Sequence, residues 1–160
     1  MLPKQHTDKS DSIDRKIMAI LEENGRASFV EIAKTVGLSQ TPCAERIKRL
    51  ERQGYIEGYT ARLNPGLVDR GFTTFIQVTF TDSTNKTFQT FSEHILDIPE
   101  VIECHMVAGM FDCLLKVCVS NMDEFRQVLL EKISEIPGIS QTNSFTVIED
   151  IKTRGRFITP

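Results

Sequence analysis

The 160-residue sequence predicts an α+β chain in two parts, a winged helix-turn-helix followed by a ferredoxin-like β-α-β-β-α-β domain. Three observations carry this. Apolar residues recur at helical spacing through the first 55 residues, broken by Asn24-Gly25 and by Gly37. The period then becomes strict alternation in "FTTFIQVTF", Phe72 to Phe80. Finally, a helix stripe closed by an Ile-Pro pair occurs twice, at Ile98 and again 38 residues later at Ile136. We place the first domain at 1–60, a linker or connecting strand at 61–71 and the second domain at 72–160.

In the first helix, Ile13, Ile17, Ile20 and Leu21 share one face, and Asn24-Gly25 ends it. The second opens with Ser28 three residues before Glu31, a capping-box spacing, and carries Phe29, Ile32, Ala33 and Val36 toward the core. Gly37 stops it and supplies a tight turn. The third runs to about Gln53, before Gly54. Two short helices joined across a Gly-containing turn form a helix-turn-helix. "YIEGYTARLNPG" then reads as a wing or connecting strand that ends in a turn at Asn64-Pro65-Gly66.

In the second domain, Phe72, Thr74, Ile76, Val78 and Phe80 take one strand face, and Thr73, Phe75, Gln77 and Thr79 take the other. Phe88, Phe91 and Ile95 mark a helix. "VIECHMVA" and "DCLLKVCV" are paired strands around a Gly109-Met110-Phe111 corner. Phe125, Val128, Leu129, Ile133 and Ile136 mark a second helix, and "SQTNSFTVIED" the last strand. Both helices are expected on one face of an antiparallel sheet, leaving the other face for a further layer, commonly a second copy.

Composition sets limits on function. Hydrophobic residues at 40% and charged residues at 26% are those of a globular protein. No apolar run approaches the roughly 20 residues a bilayer demands, and "MLPKQHTDKSDS" has no leader-like apolar core. A cytoplasmic location without membrane contact is expected. Cys43, Cys104, Cys113 and Cys118 sit in apolar patterns with no C-x-x-C pair, so four buried, reduced thiols are expected. His6, His94 and His105 are scattered, and no metal site or cofactor is expected. Residues 1–62 hold 11 Lys/Arg against 9 Asp/Glu, and 63–160 hold 8 against 13. Only the first part has the sign suited to phosphate.

The third helix carries the chemistry. Ser39 or Thr41 can be its N-cap, and Pro42 fits a first turn, where no donor is lost. Cys43, Ile47 and Leu50 fall on the buried side. Ser39, Gln40, Thr41, Ala44, Glu45 and Lys48 remain outward near the front, flanked by Arg46, Arg49 and Arg52. Short polar residues at the front of such a helix reach base edges of double-stranded DNA, and the flanking arginines are expected to hold phosphates. The corner "AGMFDCLL" has two readings: a hairpin turn braced by Asp112, or backbone amides and Asp112 holding a small zwitterion. Thr142, Asn143, Ser144 and Thr146 line the last strand as polar groups. No nucleophile elbow, phosphate loop or His–carboxylate pair is present, so no enzyme is expected.

The run "LSQTPCAERIKRLERQGYI" resembles the Lrp/AsnC (feast/famine) family of transcription regulators through L-S-x-T-P-C followed by R-I-K-R-L-E-x-x-G-x-I. Where members often carry Pro, this chain has Gln40. "GMFDCLLKV" is similar to the family's G-x-[YF]-D hairpin, and the likeness covers about residues 11–150. It implies a C-terminal domain that pairs through its sheet into homodimers, which assemble into octamers or other even-numbered rings. It also implies an amino-acid effector at dimer–dimer contacts, near Gly109, Phe111 and Asp112, with Thr142, Ser144 and Thr146 matching loosely. Two rivals are an effector-independent architectural DNA-binding protein of the same fold, and a small ferredoxin-like enzyme using His105 or Asp112.

Overall fold

The computed structural model describes residues 10–153 and Phe157. His6 and the polar start of the chain lie outside the described residues. The described residues form two compact units: those up to Arg62 together with Lys152, Thr153 and Phe157, and Leu63–Ile151.

The first unit is three helices, α1 (Ser12–Glu23), α2 (Phe29–Val36) and α3 (Gln40–Arg52). Each start follows from its sequence. Asp11 and Asp14 exchange side-chain and backbone hydrogen bonds at the front of α1, and Ser28 and Glu31 do the same for α2, which satisfies otherwise free N–H groups. Gly37 ends α2 with φ 74°, a left-handed conformation open to glycine at no steric cost. Ile17, Met18, Ile32, Ala33, Cys43, Ile47 and Leu50 form the core. Each fully buried Ile or Leu contributes about 2 kcal/mol.

Two expectations for this unit change. Phe29 is 49% exposed rather than core-facing. It is the first residue of α2, and the buried stripe begins one turn later at Ile32. The expected wing strand is absent among the described residues: Tyr55–Leu63 joins no ladder. A strand exists only by pairing, and among the described residues no strand pairs with this segment. Tyr59 instead donates its hydroxyl to Glu51 Oε1 at 2.9 Å. The Asn64-Pro65-Gly66 turn is a short 3₁₀ turn, Pro65–Leu67, capped by Asn64.

The second unit has the order β1 (Phe72–Phe80), α4 (Asn85–Leu96), β2 (Val101–Met106), β3 (Cys113–Val119), α5 (Met122–Gln127) and β4 (Ile139–Thr146). The sheet order is β2-β3-β1-β4 and every pairing is antiparallel, the ferredoxin-like arrangement. After α5 the helix widens into π-type turns over Val128–Ile133, with the Ser134 N–H donating to the Leu129 carbonyl at 2.8 Å. Thr74, Ile76, Val78 and Phe80 are buried, as the alternation requires. Ile76, Val78 and Phe80 pack with Leu115, Val117, Phe91, Ile95, Phe125, Val128 and Ile133.

The opposite sheet face carries Phe75, opposite Lys116 and Phe145, and Gln77, opposite Leu114 and Asn143. Phe145 is 54% exposed there. Three of the four cysteines are buried as expected, and Cys104 is exposed. Its strand, β2, is the edge of the sheet among the described residues.

Candidate nucleic-acid interface

Ser39 is the N-cap of α3 (φ −77°, ψ 164°), although its hydroxyl makes no capping bond. Gln40 and Thr41 therefore fill the first turn, and Pro42 stands third, still among the residues whose N–H has no helical partner. With Cys43, Ile47 and Leu50 fully buried, Ser39, Gln40, Thr41, Glu45 and Lys48 are turned to solvent and Ala44 is half-buried. Phe29 joins Gln40, Thr41, Ala44, Glu45 and Lys48 around one shallow concavity. Periodicity alone assigns Phe29 to the core; its position as the first residue of α2, one turn ahead of the buried Ile32, is the signal that sets it outside. Arg52 is exposed at the far end of α3.

Arg46 and Arg49 are not free. Arg46 Nη1 donates to Asp11 Oδ2 at 2.6 Å and to Asp14 Oδ1 at 2.9 Å, and Arg49 Nη2 donates to Asp14 Oδ2. Asp14 is 1% exposed. The two guanidinium groups thus clamp α3 to the start of α1, instead of standing clear for phosphate as expected. Partners 32 to 35 residues away lie outside any single-helix pattern. The Asp14 N–H holds the Asp11 carboxyl below the usual carboxylate range, with Arg46 adding to it. The Ser28 N–H and hydroxyl do the same for Glu31.

These shifts give a direction for acid. A carboxylate whose folded pKa is depressed contributes stability above its unfolded pKa and loses it as pH falls through the folded value. Helicity of α1 and α2, followed by far-UV circular dichroism, is therefore expected to decline once pH drops below about 4. A signal flat down to about pH 2 would contradict the caps' contribution.

In the second unit, Gly109, Met110 and Phe111 form the β2–β3 corner, with Met110 98% exposed. Asp112 is built into the sheet: its N–H donates to the Val78 carbonyl (2.9 Å), its carbonyl accepts from Val107 N–H (3.0 Å), and its carboxylate accepts from Phe80 N–H (2.8 Å). The bracing role expected of Asp112 is thus present. Thr142 is opposite Val78 on β4, level with the corner across β1. Ser144 and Thr146 are opposite Ile76 and Thr74, roughly 7 and 14 Å farther along the strand. The structure brings Gly109, Phe111, Asp112 and Thr142 to one end of the sheet and leaves the other two behind. Among the described residues no group of three or more His, Cys, Asp or Glu side chains could hold a metal, and no helix is long and apolar enough to cross a membrane.

Comparison with known proteins agrees with this geometry. The family model for the AsnC-type helix-turn-helix domain matches residues 11–51, and that for the Lrp/AsnC ligand binding domain matches residues 73–157. The leucine-responsive regulatory protein of Escherichia coli K12 is 43% identical over 148 residues, 92% of this chain and 90% of that protein. The crystal structure of a Neisseria meningitidis transcriptional regulator in complex with L-Met superposes with a TM-score of 0.87 at 32% identity, covering 94% of this chain and 96% of that one. An AsnC family regulator from Agrobacterium tumefaciens gives 0.85 at 34% identity, covering 89% and 93%. With both domains matched in order and the exposed front of α3 lying within the matched helix-turn-helix, the chain belongs to the Lrp/AsnC family of transcription regulators.

Proposed function

We propose that this regulator inserts the front of α3 into the major groove, with Ser39, Gln40, Thr41, Ala44, Glu45 and Lys48 toward base edges and Arg52 toward the backbone. The observation that carries this is the division of α3: Cys43, Ile47 and Leu50 anchor one side completely, and the polar front half faces outward. Glu45 beside Lys48 keeps the helix weakly charged, so affinity depends on more than one copy binding half-sites a helical turn or a multiple of it apart. The outer sheet face, with Phe145 half exposed and Phe75 and Leu114 partly so, supports self-association of the second unit into a homodimer and higher even-numbered assemblies.

The effector in this reading is an amino acid, held near Gly109, Phe111, Asp112 and Thr142. A Neisseria relative binds L-Met, and the family's C-terminal domain is a ligand binding domain. Such a ligand acts only through a difference in affinity between assembly states.

Lys48→Ala is expected to weaken DNA binding across all sequences and to lower the slope of log K against log salt by about 1, with the melting curve unchanged. Gel-shift titration at several salt concentrations reads this, and an unaltered slope would remove Lys48 from the interface. A thermal-shift panel of the amino acids at millimolar concentration is expected to single out one or a few. A panel with no shift at all would favour the effector-independent architectural protein.

A further inference from the structure

The β2–β3 hairpin holds two cysteines that neither the DNA-binding helix nor the corner uses. Beyond the bulge between Val101 and Glu103, Cys104 is opposite Leu115 and Met106 is opposite Cys113. Cys104 and Cys113 are therefore diagonal neighbours on one face, separated in sequence by the corner and its flanks. Cys104 is exposed on the edge strand and Cys113 is 1% exposed beneath it. The other two cysteines have different settings: Cys43 is fully buried in the first unit, and Cys118 contacts the Thr73 hydroxyl on the opposite sheet face.

We propose that Cys104 and Cys113 are an oxidant-responsive dithiol, Cys104 attacking a hydroperoxide and Cys113 resolving the product into a disulfide. The Cys104 thiolate attacks one oxygen of hydrogen peroxide; the O–O bond breaks, the sulfur becomes a sulfenic acid, and the departing hydroxide takes up the proton that Cys104 gave to solvent and leaves as water. Cys113 then attacks that sulfur, the S–O bond breaks and a second water departs with the Cys113 proton. One hydroperoxide is reduced by two electrons and one disulfide is formed.

The setting suits each role. The neighbouring Cys113 sulfur pulls the Cys104 thiol below its ordinary value, with His105 adding to it, which favours the thiolate. The same contact, together with burial, pushes Cys113 up, which keeps it a protonated partner until Cys104 is oxidised. Low-pKa, accessible thiols beside a second cysteine are those that peroxides reach first. Diagonal neighbours in a sheet stand about 7–8 Å apart, just beyond the usual span of a disulfide, so closure requires β2, at the edge of the sheet, to shift inward. A bond formed under such strain is readily reduced again. Because it closes over residues 105–112, it would staple the corner shut.

The test uses the full chain, reduced, then treated with equimolar hydrogen peroxide at neutral pH. Intact mass is expected to fall by two hydrogen atoms, non-reducing peptide mapping to join the Cys104 and Cys113 peptides, and dithiothreitol to restore the starting mass. Cys113→Ser is expected to stop at the sulfenic acid, trapped by dimedone on Cys104, and Cys104→Ser to remain unmodified. Three results would overturn the proposal: gain of oxygen by the wild type with no loss of hydrogen, a disulfide between chains, or linkage through Cys43 or Cys118. The readout is independent of DNA or effector binding, so it stands apart from the function proposed above.

Discussion

Asp14→Ala is expected to destabilise the N-terminal unit by about 3 kcal/mol and to abolish specific DNA binding with it. One carboxylate performs three tasks: it accepts the Asp11 N–H at 3.2 Å in the capping box, one Arg46 donor at 2.9 Å, and an Arg49 donor. Alanine leaves Arg49 without this acceptor and Arg46 with only Asp11. Removing one partner of a buried pair costs roughly 3 to 5 kcal/mol. The arginine side chains are 26% and 39% exposed, so water recovers part of the loss and the lower end applies. Asp14→Asn keeps one acceptor oxygen and is expected to cost about half as much. Denaturant unfolding followed by helical circular dichroism measures both, and wild-type stability in Asp14→Ala would refute the brace. Arg49→Ala is by the same argument a stability mutant, whereas Lys48→Ala tests the proposed DNA contact without touching the brace.

The Asp14 brace also marks where legibility ended. Features written within a few residues could be read from the sequence: the Ser28–Glu31 capping box, the Gly37 turn, the Cys43, Ile47 and Leu50 side of α3, and the alternation of β1. Each depends only on residues close together within one helix, strand or turn. The arginines of α3 looked free because their partners lie on α1, more than 30 residues away. Residue type alone points to a strand at the wing, but strand formation is decided by a neighbour, and among the described residues none pairs with Tyr55–Leu63. Cys104 fits an apolar pattern as well as Cys113 does, and only strand order shows that β2 is the edge. At the corner, Asp112 was legible as a brace, while the register that puts Thr142 level with it and carries Ser144 and Thr146 away is a property of the assembled sheet.

Gly138→Ala is expected to cost the C-terminal unit about 3 kcal/mol, for two separable reasons. Gly138 has φ 94°, and an L-residue there carries a backbone penalty of about 1–2 kcal/mol. Its Cβ would also come 2.7 Å from Thr87 Cγ2. Neither side can retreat easily. The Gly138 carbonyl accepts the Thr81 N–H at 2.9 Å, and Thr87 Oγ1 is held by Asp82 Oδ1 at 2.7 Å and by the Thr84 hydroxyl at 3.0 Å, at the front of α4. Thr87→Ser deletes Cγ2 and keeps the hydroxyl, so it removes the collision and leaves the backbone penalty. In a double-mutant cycle read by urea unfolding, Gly138→Ala is expected to cost about 1–2 kcal/mol less in the Thr87→Ser background than in the wild type. Equal costs in both backgrounds would show that the collision contributes nothing, and a neutral Gly138→Ala would refute the strained conformation as well. Gly138 directly precedes β4, so the same pair of variants should shift effector affinity if Thr142 belongs to the site, because its position opposite Val78 is set from that turn.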